Sequence, residues 1–130
     1  MMKKNNKKLD ILYKIKNGLI VSCQARKGWP MYGKEIMASF AEAAMIGGAV
    51  AIRANGTENI KEIKKRVDLP IIGINKIWYE KIPVYITPTY DSAVEVIEAG
   101  AEIVALDGTN RLRPNGETFE EIVKKLRVKY

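Results

Sequence analysis

The chain has 130 residues, 47% of them hydrophobic and 28% charged, a balance that suits one soluble domain with a real core, and no apolar run approaches the ~20 residues of a membrane span. A single cysteine, Cys23, and no histidine exclude an internal disulfide and argue against a cysteine- or histidine-based metal site. The formal net charge of +7 is concentrated in residues 1–16, where six lysines face only Asp10, and it does not describe the body of the chain.

In chain order, residues 1–8 read as a basic, solvated N-terminal tail and residues 9–130 as the folded unit. No stacking aromatics are interleaved with the lysines, so nucleic-acid binding is not expected. The N-terminus lacks the apolar core of a signal peptide, and the expected location is the cytoplasm, where the sequon Asn55-Gly56-Thr57 has no meaning. Residues 9–16 read as a short helix that Gly18 breaks. Gly18 to Ala25 is a first apolar strand ending in Gln24, followed by a loop punctuated by Gly28, Pro30 and Gly33. Glu35 to Met45 places Ile36, Met37, Phe40, Ala41 and Ala44 on one helical face, and Gly47 and Gly48 stop it.

Ala49 to Ala54 is the second strand, with Arg53 at its end. Asn55-Gly56-Thr57-Glu58 starts a helix carried by Ile60, Ile63 and Val67. Leu69 to Lys76 is almost wholly apolar, as a strand buried on both faces is, and ends in a charge. An irregular aromatic stretch (77–83) and a short extended piece (84–87) lead to a helix opened by Pro88-Thr89 and closed by Gly100. Glu102 to Leu106 is the fourth strand, with Asp107 at its end. After a charged turn, Thr118-Phe119-Glu120-Glu121 is a capping box for a last helix with Ile122, Val123 and Leu126 on its face.

Strand and helix therefore alternate four times, and polar residues close the strands at Gln24, Arg53, Lys76 and Asp107, spaced by 29, 23 and 31. Repeats of this length demand parallel strands. Two α/β architectures remain: an open doubly wound sheet, or four units of a (β/α)8 barrel, since a whole barrel takes ~250 residues. In either, ligands sit at the carboxyl ends of the strands. There an amide, a guanidinium, an amine and a carboxylate would converge on a polar substrate. Lys76 is the candidate base and Arg53 the nearby cation that lowers its pKa, because a lysine must be neutral to accept a proton.

Two other motifs carry less. Gly28 to Lys34 matches G-x-x-x-x-G-K between a strand and a helix, but Glu35 follows where Ser or Thr should hold magnesium, and Pro30 has no N–H to offer a phosphate. Cys23 lies in an apolar strand with no histidine partner, as a small buried hydrophobe does.

The segments GLIVSCQA (18–25), GAVAIRAN (48–55), LPIIGI (69–74), YITPT (85–89) and IVALD (103–107), in this order, resemble the N-acetylmannosamine-6-phosphate 2-epimerase family. The likeness runs from about Leu9 to the C-terminus. It implies the N-terminal half of a (β/α)8 TIM barrel, and an isomerase of sialic acid breakdown that converts N-acetylmannosamine 6-phosphate to N-acetylglucosamine 6-phosphate by moving the proton on C2, with no cofactor and no metal. Lys76 matches the catalytic lysine, Gln24 and Arg53 match residues contacting the sugar, and Asp107 matches a polar residue of the same mouth. The sequence departs from the family pattern at Asn75, Ile77 and Gly108 and in the loop Arg26-Lys27-Gly28-Trp29. The family's second half, with a glutamate and a Gly-rich phosphate site, lies beyond Tyr130, so a fragment, split-gene product or truncated copy is expected. The partners implied are a phosphorylated amino sugar and either a second copy, as a homodimer, or a C-terminal half-barrel. The alternative is a non-catalytic half-barrel that binds a sugar phosphate or serves assembly.

Overall fold

The computed structural model describes residues 2–130, with side chains from residue 9 onward. Helix α1 (Met2–Ile15) precedes four βα units: β1 (Ile20–Cys23) with α2 (Lys34–Ile46), β2 (Ala51–Asn55) with α3 (Thr57–Arg66), β3 (Ile71–Ile74) with α4 (Tyr90–Glu98), and β4 (Ile103–Val104) with α5 (Phe119–Lys129). All pairings are parallel, and the strands lie in the sheet in chain order, β1-β2-β3-β4. Helices α2 to α5 pack in the same order, each against the next. A doubly wound sheet would reverse its strand order at a switch point. Unreversed order with a single row of helices is the pattern of consecutive (β/α)8 units.

Register divides the sheet into two faces. Ser22 pairs with Arg53, Arg53 with Ile72, and Ile72 with Ile103. Because strand side chains alternate, this row shares a face with Asn55 and Ile74, and the same parity runs on to Gln24, Lys76 and Asp107 just beyond the strand ends. The opposite face carries Cys23, Ile52, Ala54, Ile71 and Gly73. It is buried under Met37 and Ala41 of α2, Ile60 and Ile63 of α3, and Val96 of α4. Gly73 is required by this packing: a Cβ there would stand 2.4 Å from Val96 Cγ1 and 2.7 Å from the Ala101 Cβ. The core cluster of α2, α3 and α4 lies on the other face; on the first face Ile20 is 39% exposed while Ala51 and Ile74 are fully buried.

Local signals account for most of the ends. Thr118 and Glu121 form the expected capping box on α5, and Thr89 and Ser92 form another on α4. Gly100 (φ 107°) closes α4 in the left-handed conformation. At the end of α2 only Gly48 (φ 95°) is left-handed, and Gly47 stays in the right-handed helical region. Three expectations need correcting. The first helix begins at Met2, not near Leu9, because the polar Lys- and Asn-rich stretch continues it; the lysine side chains of 1–8 lie outside the described ones. The fourth strand is two residues long, since beyond Ala105 its backbone leaves β3 for the 77–87 segment, Asp107 N–H donating to Ile86 O at 3.0 Å. Residues 77–87, expected to be irregular and then extended, fold back as a small antiparallel hairpin. Bridges join Lys76 to Ile86 and Tyr79 to Ile82, with Lys81 (φ 62°) at the tip.

Candidate active site

The hairpin is what holds Lys76. Its N–H donates to Asn55 Oδ1 at 2.8 Å, tying the end of β3 to the end of β2. On either side the backbone is locked: Thr87 N–H to Asn75 O at 2.8 Å, Asn75 N–H to Thr87 Oγ1 at 3.0 Å, and Ile77 N–H to Tyr85 O at 2.9 Å. A lysine at a strand end is ordinarily a loose solvated cap. This one has its backbone fixed by four hydrogen bonds over three residues. Burial first, then the charges of Arg53 and Arg26, push its pKa below the ordinary lysine value. Desolvation and neighbouring cations both disfavour the ammonium form, which is how a lysine becomes a base.

A cavity of about 560 Å³ opens at this point, with Gln24, Asn55 and Lys76 in its wall. Gln24 Nε2 donates to Ser22 Oγ at 2.7 Å, and its Oε1 is buried without a hydrogen-bond partner. Arg53 is not part of the cavity wall but is close enough to act on the charge of Lys76. Asp107 is placed differently. Its N–H is held by Ile86 O at 3.0 Å, while its carboxylate accepts from the Thr109 hydroxyl at 2.6 Å and from Arg111 Nη2 at 2.7 Å. Burial would raise the Asp107 pKa, but these hydrogen bonds more than offset it and hold the carboxyl below its usual range. Gln24 and Lys76 thus share the cavity, Arg53 stands near them, and the Asp107 carboxylate is engaged with its own loop.

Sequence reasoning missed three residues here. Asn55 was read only as a helix start, although its place two residues after Arg53 puts it on the same strand face. Arg26 was read as loop. Arg113, in the charged turn, is 2% exposed and donates to the carbonyls of Pro88 (3.3 Å) and Asp107, clipping the fourth strand end to the start of α4. No local pattern marks that burial. The motifs set aside stay aside: the N–H groups of Trp29 and Tyr32 are spent on turns to Arg26 O and Trp29 O, and Cys23 is buried with its thiol pKa raised by desolvation. Among the described residues no cluster of metal-ligating side chains occurs, and no helix is long and apolar enough to cross a membrane.

A family model described as "Putative N-acetylmannosamine-6-phosphate epimerase" matches residues 37–130. The chain belongs to this family. A curated relative from Caldanaerobacter subterraneus subsp. tengcongensis, named as a "Putative N-acetylmannosamine-6-phosphate 2-epimerase", is 54% identical over 122 residues, which is 94% of this chain and 52% of that protein. One from Clostridioides difficile with the same name is 50% identical over 90% of this chain and 52% of its own length. The solved structure of the N-acetylmannosamine-6-phosphate 2-epimerase from Clostridium perfringens superposes with a TM-score of 0.87 at 44% identity, covering 92% of this chain and 52% of that one. The chain spans about half the length of the curated relatives it matches, and its fold is the N-terminal half of their (β/α)8 barrel. Of the family departures, Arg26, Lys27 and Trp29 line the cavity itself, whereas Asn75 and Gly108 do not. The Asn75 amide is turned to Glu95 on α4 at 2.8 Å, and at Gly108 a Cβ would meet nothing within 4 Å.

Proposed function

We propose that this chain is the lysine-bearing half of an epimerase that interconverts N-acetylmannosamine 6-phosphate and N-acetylglucosamine 6-phosphate. Lys76 Nζ takes the proton from C2 of the open-chain sugar. The C–H electron pair moves into the adjacent aldehyde to give an enolate, and an acid on the opposite face, supplied by the second half of the barrel, returns a proton to C2 and inverts it. Gln24 and Arg53 face the sugar oxygens and stabilise the charge that develops there. Asp107 belongs to the rim of the same mouth, where Arg111 and Thr109 hold it ionised. The reaction needs no cofactor and no metal in this scheme.

The observation that carries the reading is Lys76 itself: a backbone-locked lysine in a cavity with an amide donor, its pKa lowered by burial and by Arg53 and Arg26. Family membership supports the choice of substrate. The enzyme acts in the cytoplasm on a phosphorylated amino sugar, without nucleic acid or membrane, and the basic residues of 1–8 lie outside the half-barrel, on helix α1 from Met2 onward. The sheet face opposite the core cluster and the two edge strands favour assembly, either with a C-terminal half-barrel or as a homodimer. A coupled assay for N-acetylglucosamine 6-phosphate, with and without a C-terminal half added in trans, tests the proposal. Activity that survives Lys76→Ala would assign the base elsewhere. Sugar-phosphate binding with no turnover under any reconstitution would leave the non-catalytic half-barrel as the better reading.

A further inference from the structure

The cavity around Lys76 has an outer wall whose only part in the epimerase reading is the charge of Arg26 on Lys76. Arg26, Lys27, Trp29 and Tyr32 of the β1–α2 loop form one side of it, and Trp78 of the hairpin forms the other. Trp29 and Trp78 are the chain's two tryptophans, and they are 55% and 62% exposed. Two indoles left facing water forgo hydrophobic stabilisation. Each is nevertheless held in place. The Arg26 guanidinium lies 5.6 Å from the Trp29 ring centroid, and Trp78 stacks on Tyr85 at 5.4 Å with 14° between the planes. Aromatic faces that are fixed but not hidden, at a concave site, make a platform for a ring.

The charge at this wall is one-sided. Arg26, Lys27 and Lys76 line the cavity with no carboxylate among the lining residues. Neither these three nor Arg53 ion-pairs with a carboxylate among the described residues. Uncompensated cations at the rim of a cleft attract an anion. Deeper in, Gln24 lines the cavity with an amide whose Nε2 carries a second N–H beside the one given to Ser22, a donor for a sugar hydroxyl.

We propose that this wall is an outer subsite for an anionic monosaccharide: its phosphate or carboxylate on Arg26 and Lys27, its C–H face against the indoles, and its hydroxyls toward Gln24. The inference rests on the epimerase reading for the substrate class, and it adds an anion anchor carried by the first half of the barrel. A nucleotide shares the phosphate and the stacking surface but brings fewer hydroxyls to the Gln24 amide, and it forms one arm of the test.

Both tryptophans stand in the subsite, so their emission reports on it directly. The 130-residue chain is titrated with N-acetylmannosamine 6-phosphate, N-acetylmannosamine and inorganic phosphate, and a nucleoside monophosphate is followed by equilibrium dialysis. The sugar phosphate is expected to give a saturable change, with the other three ligands weaker by about tenfold or more. The Arg26→Ala/Lys27→Ala double variant, two exposed loop positions, should weaken binding by about 10- to 100-fold with an unchanged far-UV circular dichroism spectrum. No saturable change at millimolar ligand, equal affinity in the double variant, or tighter binding of the nucleotide would each overturn the subsite. Binding that depends on Arg26 and Lys27 without any exchange at C2, even after a C-terminal half-barrel is added, would sink the epimerase reading and leave the subsite standing. Exchange at C2 with a KM indifferent to both residues would do the reverse.

Discussion

Lys76 is held in a state that costs stability. Its pKa is below the ordinary value of 10.5 in the folded chain. Between the two values the unfolded chain binds more protons than the folded one, so this group makes stability rise with pH across that window. Below both values the unfavourable ammonium is fully present. Lys76→Met should therefore raise Tm at neutral pH while lowering the rate of proton transfer by about 10²–10⁴-fold, the usual worth of a general base. Calorimetry paired with the coupled assay separates the two effects. The rate should rise with pH as the lysine loses its proton, with a midpoint below 10.5. Arg53→Ala and Gln24→Ala should each cost about 1.5–3 kcal/mol in kcat/KM if they donate to a charged substrate oxygen; values within error of the parent would remove them from the mouth. At this scale the sequence was informative where chemistry is local. An apolar run that ends in a lysine announces a strand end, and of the four polar ends the structure brings Gln24 and Lys76 into one cavity wall. It was silent where partners are distant: that Arg113 is buried against the carbonyl of Pro88, 25 residues away, depends on a contact no window contains.

At the scale of elements, the 75–87 hairpin converts a strand end into a rigid platform. Thr87 sits wholly buried at φ 47°, a left-handed conformation that β-branched residues rarely adopt. Its hydroxyl is the acceptor for Asn75 N–H, so Thr87→Val keeps the shape and removes the acceptor. That change should cost about 1–3 kcal/mol for the orphaned N–H, measured by denaturant unfolding, with Thr87→Ser restoring most of it. Gly73→Ala tests the other side of β3. The added methyl meets the Val96 and Ala101 side chains, and overpacking of this kind should cost about 1–3 kcal/mol; a neutral result would mean that α4 can move off the sheet. The hairpin could not be read from the sequence because its arms are short and Pro83 interrupts its return arm. By contrast β3 was legible, since IIGI is apolar on both faces and is needed on both. The brevity of β4 follows from its neighbours and not from its own residues.

Across the whole molecule, chain-order strands with one row of helices leave a sheet face outside the core cluster and two edges, β1 and β4, without a strand partner. Parallel sheets are normally covered on both faces. The assembly proposed for this chain should appear in sedimentation at micromolar concentration as a dimer, or as a complex once a C-terminal half-barrel from a full-length relative is added. A sharp monomer with a rigid near-UV aromatic spectrum would contradict that expectation. The βα repeat was readable in the sequence because period and turn chemistry are local. The choice between barrel and doubly wound sheet does not follow from that alternation, which both write; it came from the likeness of five segments to the epimerase family, and the unreversed strand order bears it out. The central claim is that Lys76 moves the C2 proton, and the most direct measurement is solvent deuterium incorporation at C2 of N-acetylmannosamine 6-phosphate, followed by proton NMR in D2O. With the chain and a C-terminal half-barrel together, the account predicts loss of the C2 proton signal for the parent and its persistence for Lys76→Met. Equal exchange by both, or none by the parent complex, would contradict it.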